Sequence, residues 1–408
     1  MLQRGSARRA ARVPPAARRC YVVDRTMRSI PSILLLGAWL VGCEPTKPPV
    51  TPPQTPPGPT TTTLEPITIR AYTTAELLAE LEAARGHLLV DRFEEAAPAF
   101  DRLTRLAEDP AIKAVAAYDA GLAYEGLGER EKAIKRFRLV DTSWPEQPVA
   151  RNGLVRLTRI LGRLERWSEL EQAAERLLGR KDLPLIDKIE GHGAKALSFV
   201  ERGMKDEATI QVGKATEIID KHALGRAGTP PLQLAQVAFA QGEIRRLETE
   251  AIKLVPVPPN FGEVLEARCQ RLLDAQSAYT EAMRARDAHW SAMSGFRVGQ
   301  LYRALHEEAM TIPAPEAAKT LKQKQLFEAS MRLRYRILLD KGLKMMESTV
   351  RLGDRTGEDS EWIARAREAK KALEQSLANE KAALAKMPFT EDEVTAALEA
   401  LKARPKTP

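Results

Sequence analysis

From Thr73 onward, apolar residues recur at spacings of three and four, and the positions between them are filled by Ala, Glu, Arg and Lys with few β-branched runs. That period puts one apolar stripe on each helix and predicts an all-α fold. Thr73-x-x-Glu76, Ser168-x-x-Glu171 and Thr390-x-x-Glu393 read as capping boxes, in which hydroxyl and carboxylate satisfy the free amides of a helix start. Toward the C-terminus the helices are expected to lengthen, with one pattern over 315–352 and another over 358–387. Pro388 then breaks the chain before a last helix at 391–403.

The N-terminal pattern is of another kind. The apolar run Ile33 to Val41 is about half of the roughly 20 residues that cross a bilayer, which suits the core of a signal peptide. Residues 45–66 hold nine prolines and seven threonines and almost no apolar side chains, a composition that buries no core and favours extended polyproline conformations. Between them stands Leu40-Val41-Gly42-Cys43, behind a basic flank of Arg25 and Arg28. This tetrad resembles the lipobox of bacterial lipoproteins. The resemblance implies cleavage after Gly42, lipidation of Cys43 as first mature residue, and a membrane anchor followed by a tether. Residues 1–42 are then signal peptide and 43–66 lipidated cysteine and tether. Met27 would start a tidier signal, so residues 1–26 read as an over-extended gene start; Arg18-Arg19 follows Ala17 and lies far from the apolar core, unlike a twin-arginine signal.

Charge changes its meaning once that segment is set aside. The whole chain is +8, but residues 1–42 hold eight arginines and one acid, a net +7, which leaves the mature chain at about +1. A nucleic-acid partner is therefore not expected. Of three cysteines, Cys20 is removed with the signal and Cys43 is lipidated, so Cys269 stands alone and is read as a small buried hydrophobe.

A search for internal repeats finds Gly121, Tyr124, Gly128, Ala133, Phe137 and Pro145 within AAYDAGLAYEGLGEREKAIKRFRLVDTSWP. The pattern resembles one tetratricopeptide (TPR) repeat: Gly121 and Ala133 allow two antiparallel helices to cross closely, Tyr124 and Phe137 fill the space between hairpins, and Pro145 ends the second helix. Steps of 37 or 38 residues from Ala133 reach Ala96, Leu170 and Ala208, with Phe93, Phe100, Trp167, Ala174, Phe199 and Val212 around them. Four TPR-like units are expected over 73–222. Residues 223–231 are a candidate hinge, and 232–404 are expected to form diverged helical hairpins and a cap. There Ala275, Tyr279 and Ala282 keep the second-helix spacing, and Gly299 and Tyr302 the first-helix spacing. The whole is expected to be a TPR-like hairpin superhelix with a longer-helix C-terminal capping region.

Residues that could carry chemistry do not converge. The five histidines are too scattered for H-E-x-x-H and no cysteine pair exists, so neither metal nor other cofactor is expected. Gly191-His192-Gly193 lacks the third glycine of a dinucleotide loop. Glu347-Ser348 matches the pair of soluble lytic transglycosylases without the motifs that follow it there, and reads as helix surface. The aromatic set Trp290, Phe296 and Tyr302 has helical spacing and reads as core.

Taken together, lipobox, tether and repeats resemble bacterial TPR lipoproteins of envelope machines, such as gliding-motility complexes or the outer-membrane β-barrel assembly machinery. The resemblance implies a non-catalytic scaffold that recruits other envelope proteins, anchored by lipid in the outer membrane and facing the periplasm. Glu44, the residue after the lipidated cysteine, does not decide between inner and outer membrane. In that family the first helix of each hairpin lines a groove, and the matching positions are Arg85, Tyr118, Glu125, Asn152, Arg159 and Arg163, continued by Glu190 and Glu201. Arg159 and Arg163, four residues apart, would clamp an acidic segment. The alternative is an envelope enzyme or accessory acting on or binding cell-wall glycan.

Overall fold

The computed structural model describes residues 72–402 apart from Asp182 and Ala227, with side chains as far as Glu399. The expected signal peptide and tether, with Gly42 and Cys43, lie outside the described residues. Fourteen helices and no strand make up the described chain, in six successive pairs, α1 (Thr74–Leu89) with α2 (Phe93–Leu106), α3 (Pro110–Gly126) with α4 (Arg130–Ser143), α5 (Pro148–Arg163) with α6 (Trp167–Leu178), α7 (Leu185–Glu201) with α8 (Lys205–Lys221), α9 (Gln233–Ala251) with α10 (Phe261–Arg284), and α11 (Ala288–Met310) with α12 (Leu321–Thr356), followed by α13 (Glu361–Ala385) and by α14 (Glu391–Lys402), which packs on α12. None of these helices is long and apolar enough to cross a membrane.

Each hairpin packs on the next, and each odd-numbered helix touches the following odd-numbered one, so those helices form one continuous layer. The second helices α2, α4, α6 and α8 start 37, 37 and 38 residues apart. Ala96, Ala133, Leu170 and Ala208 occupy equivalent buried places in them. The expected period is thus that of the structure, and the fold is an all-α, TPR-like stack of hairpins.

Within the second hairpin the register of the two helices is fixed by a close crossing. A Cβ on Gly121 would lie 2.5 Å from the Phe137 ring, so α3 must carry glycine where α4 presents its aromatic. The same device recurs in the longer pairs: a Cβ on Gly242 would meet the Tyr279 ring at 2.6 Å, and one on Gly299 would meet Met346 at 2.5 Å. Residues 233–356 therefore repeat the hairpin design with longer helices, of 19, 24, 23 and 36 residues in α9 to α12. Trp290, Phe296 and Tyr302 are buried in that core, and Cys269 is half-buried against it. No break in packing falls at 223–231, since α9 packs along α7 with Val237 against Gly193.

Two local readings need correction or addition. Thr73 and Thr390 do form reciprocal caps with Glu76 and Glu393. Ser168 does not: α6 begins at Trp167 with Arg166 before it, and Glu171 is taken by Arg202 at 2.6 Å instead of reaching back to the helix start. A box absent from the sequence reading, Thr320 with Gln323, starts α12. That helix runs four residues past its expected end, to a left-handed Gly357 whose amide donates to the Gly353 carbonyl.

Candidate functional site

Charged side chains of the odd-helix layer are arranged as rungs between hairpins. Arg85 of α1 donates to Asp119 of α3 at 2.8 Å. Arg156 of α5 reaches back to Glu125 of α3 at 3.6 Å. From α5 to α7, Arg151 faces Asp187 at 3.6 Å and Arg159 forms a two-pronged pair with Glu190. The second helices carry rungs of their own, with Arg136 on Asp101, Arg166 on Glu131 and Arg176 on Asp141. Partners stand 31 to 36 positions apart, about one repeat.

The groove residues proposed from the family pattern are therefore built into the wall. Tyr118 lies half-buried with its ring 5.7 Å from that of Phe137, and Asn152 accepts from its neighbour Arg151 at 3.3 Å. Arg159 is 20% exposed, and its partner Glu190 only 2%. Burial raises the Glu190 carboxyl above its ordinary value while the guanidinium opposes that shift. Arg163 does not join Arg159 on a free face; it points to Asp287, in the turn before α11, at 3.1 Å. Arg365 of α13 closes the same region by pairing with Glu165 at 3.0 Å, 200 positions away. The stack curls until its sixth hairpin and α13 meet the end of α5. Reversing Arg159 to Glu would set two carboxylates against each other in a largely buried place, so it perturbs folding before it reports on any partner.

Glu201 leads into a denser assembly where α7, α9, α10 and α11 meet. The buried carboxylate of Glu243 accepts from the Tyr279 hydroxyl at 2.7 Å and from Arg246 at 2.8 and 2.9 Å, with Arg297 Nε 2.8 Å away. Arg297 also donates to Glu201 at 3.4 Å. Burial, reinforced by the nearby Glu243 charge, pushes the Glu201 carboxyl up to about 7. Burial likewise holds the Tyr279 hydroxyl well above its usual range. The ring of Trp362 sits beneath two guanidiniums, those of Arg297 and Arg365, at 5.1 and 4.6 Å from its centroid.

In front of this assembly opens a cleft of about 560 Å³ between α9, α11, α12 and α13. Arg303, Glu307 and Glu368 give its wall both signs of charge, Gln300 adds a neutral amide, and Phe296 and Met346 supply apolar surface. The family pattern did not point to it, because it arises from helices longer than the repeat. Its only advance signal is the run of first-helix positions around Gly299. Glu347, set aside as helix surface, is half-exposed on α12 and faces Arg351 at 3.8 Å. Among the described residues no group of three or more His, Cys, Asp or Glu is placed to hold a metal ion.

Stacked hairpins with a polar odd-helix face define an all-α protein of TPR-like architecture. No protein-family model and no curated protein matches the chain. Among solved structures, the C-terminal part of a TPR repeat-containing protein from Cytophaga hutchinsonii aligns over 74% of this chain and 99% of its own, at 12% identity and a TM-score of 0.37. The TPR2AB domain of yeast Sti1, in a pHSP90 complex, aligns over 75% of this chain and 100% of its own, at 13% identity and a TM-score of 0.21. At these scores the superpositions carry no argument, and the architecture rests on the packing described above.

Proposed function

We propose that the chain is a non-catalytic scaffold of the cell envelope, tethered to a membrane through lipidated Cys43, that assembles with other envelope proteins by holding a partner segment on its odd-helix face. The observation that supports this reading is the open cleft of about 560 Å³ in that face, whose walls mix both charges with apolar surface. Such a lining suits a polypeptide, which brings charged, polar and apolar groups in alternation. The partner segment continues from the cleft toward Asn152, Glu125, Tyr118 and Arg85, and the rungs keep that face rigid.

The test is site-specific photocrosslinking in cells, with the crosslinker at Gln300 in the cleft and, as control, at Thr209 on the exposed surface of α8. A scaffold gives a discrete protein adduct from Gln300 that Thr209 does not give, and the adduct diminishes when Arg303 and Glu368 are exchanged in charge. Adducts of cell-wall material from Gln300 would replace the reading by glycan binding. Identical adduct patterns from both positions would end it. The anchor is tested separately, by loss of fatty-acid label in Cys43→Ala.

A further inference from the structure

Nearly every arginine of the repeats has a carboxylate partner, and against that background one cluster of cations stands out. Lys188 of α7 and Lys214 and Lys221 of α8 line a cleft of about 520 Å³ together with His192, His222 and Glu217. None of the three lysines makes an ion pair, although all are exposed and free to reach one. Their positions are set by helix geometry: Leu185, Lys188 and His192 recur at three and four along α7, and Lys214, Ile218 and Lys221 do so along α8. The antiparallel pairing brings the start of α7 beside the end of α8. The N-cap of α7 is Pro184, which offers no side-chain cap, and the acid of its first turn, Asp187, is turned to Arg151 at 3.6 Å.

We propose that the cleft between α7 and α8 is a binding site for a phosphate group, held by the ammonium groups of Lys188, Lys214 and Lys221 beside His192. Ammonium groups on flexible stems suit a compact, multiply charged anion that offers no flat edge for two-pronged contacts. His192 gives the site a fixed element. Its ring is buried, and Nδ1 lies 2.9 Å from the Gln211 side-chain oxygen, which leaves Nε2 as the ring's free polar atom. Burial first, and then the charges of Lys214, Lys188 and Lys195, keep this imidazole below its ordinary pKa. The groups that face it are those three lysines, with Glu217, Lys221 and His222 around the same cleft and Glu175 of α6 tied to Lys195 at 2.6 Å. A bound phosphate cancels the lysine field, so His192 takes up a proton more readily and becomes a further donor. Binding is therefore coupled to protonation of His192, whose titration moves up when the phosphate is bound.

The test uses the full chain in detergent, with inorganic pyrophosphate and a water-soluble short-chain phosphatidic acid as probes, followed by calorimetry and by imidazole nitrogen NMR of His192. The site predicts saturable binding of at least one probe, an upward shift of the His192 titration on binding, and a loss of about tenfold or more in affinity in Lys188→Gln/Lys214→Gln. Lys205→Gln, on the same helix outside the cleft, should leave affinity unchanged. Tighter binding of pyrophosphate identifies a free phosphate as ligand, and tighter binding of the phosphatidic acid a lipid headgroup. No binding of either probe, an unshifted His192 titration, or an equal loss in Lys205→Gln would overturn the assignment. Because the cleft lies apart from Gln300, failure here leaves the crosslinking result of the proposed scaffold standing.

Discussion

The four short hairpins of residues 74–221 and the longer hairpins of residues 233–356 solve one packing problem with different chemistry. Both set a glycine of the first helix under a large side chain of the second, Gly121 under Phe137 and Gly242 under Tyr279. In the short hairpins the charges that link neighbours run from the margin to the interior as separate pairs: Arg166, which reaches Glu131, is 28% exposed and Glu131 68%, whereas Glu190 beneath Arg159 is only 2% exposed. In the longer ones the link is interior, where Glu243 gathers Tyr279, Arg246 and Arg297 with almost no exposure. Extra helical turns add wall that a fixed repeat does not provide for, and polar groups placed on that wall are covered by the next hairpin. They must then satisfy one another, which makes them far more sensitive to change.

The largest effect should come from Glu243→Ala. It leaves two largely buried guanidiniums and a buried phenol without their common acceptor, and should cost about 3–5 kcal/mol in denaturant unfolding. A loss below about 1 kcal/mol would place the longer hairpins on the same footing as the short ones. Gly121→Leu and Gly242→Leu come next, each costing about 1–3 kcal/mol through overpacking against its aromatic. Equal losses would support one shared design, and a neutral Gly242→Leu would restrict that design to the short repeats.

Glu201 sharpens the comparison through pH. Its folded value of about 7 lies above the ordinary 4.5, so the folded protein holds a proton that the unfolded chain gives up. Stability contributed by that proton is present below about pH 4.5 and is lost as the pH rises through about 7. Glu201→Gln should flatten this slope and raise stability by about 1–2 kcal/mol above neutrality, with little gain in acid, as read from unfolding curves across that window. The smallest effect belongs to the margin: Arg166→Ala should cost less than about 1 kcal/mol, since its partners are largely hydrated and screened by salt.

How much of this could be read along the chain follows from the range of each interaction. Helix type, the period of 37 to 38 residues and the buried set at Ala96, Ala133, Leu170 and Ala208 are legible because they express the residue's own turn and the turn next to it. Two of three capping boxes are legible for the same reason. The third, at Ser168, fails because α6 already starts at Trp167, and Arg202, at the end of the next helix, claims Glu171. Arg159 and Arg163 show the limit most clearly. Helical spacing puts them on one face, yet their roles depend on Glu190 one hairpin away and on Asp287, 124 positions downstream.

A repeat-long offset between arginine and acid was present in the sequence as a signal for the rungs, because it is the period of the stack itself. No comparable offset announces Arg163 with Asp287 or Arg365 with Glu165. Those pairs depend on how far the hairpins curl, a quantity summed over every crossing angle between α5 and α13 and written in no single one of them. Local pattern accordingly decides which residues are helical and which face is apolar. Curvature decides which charges become wall, and which are left open for a ligand.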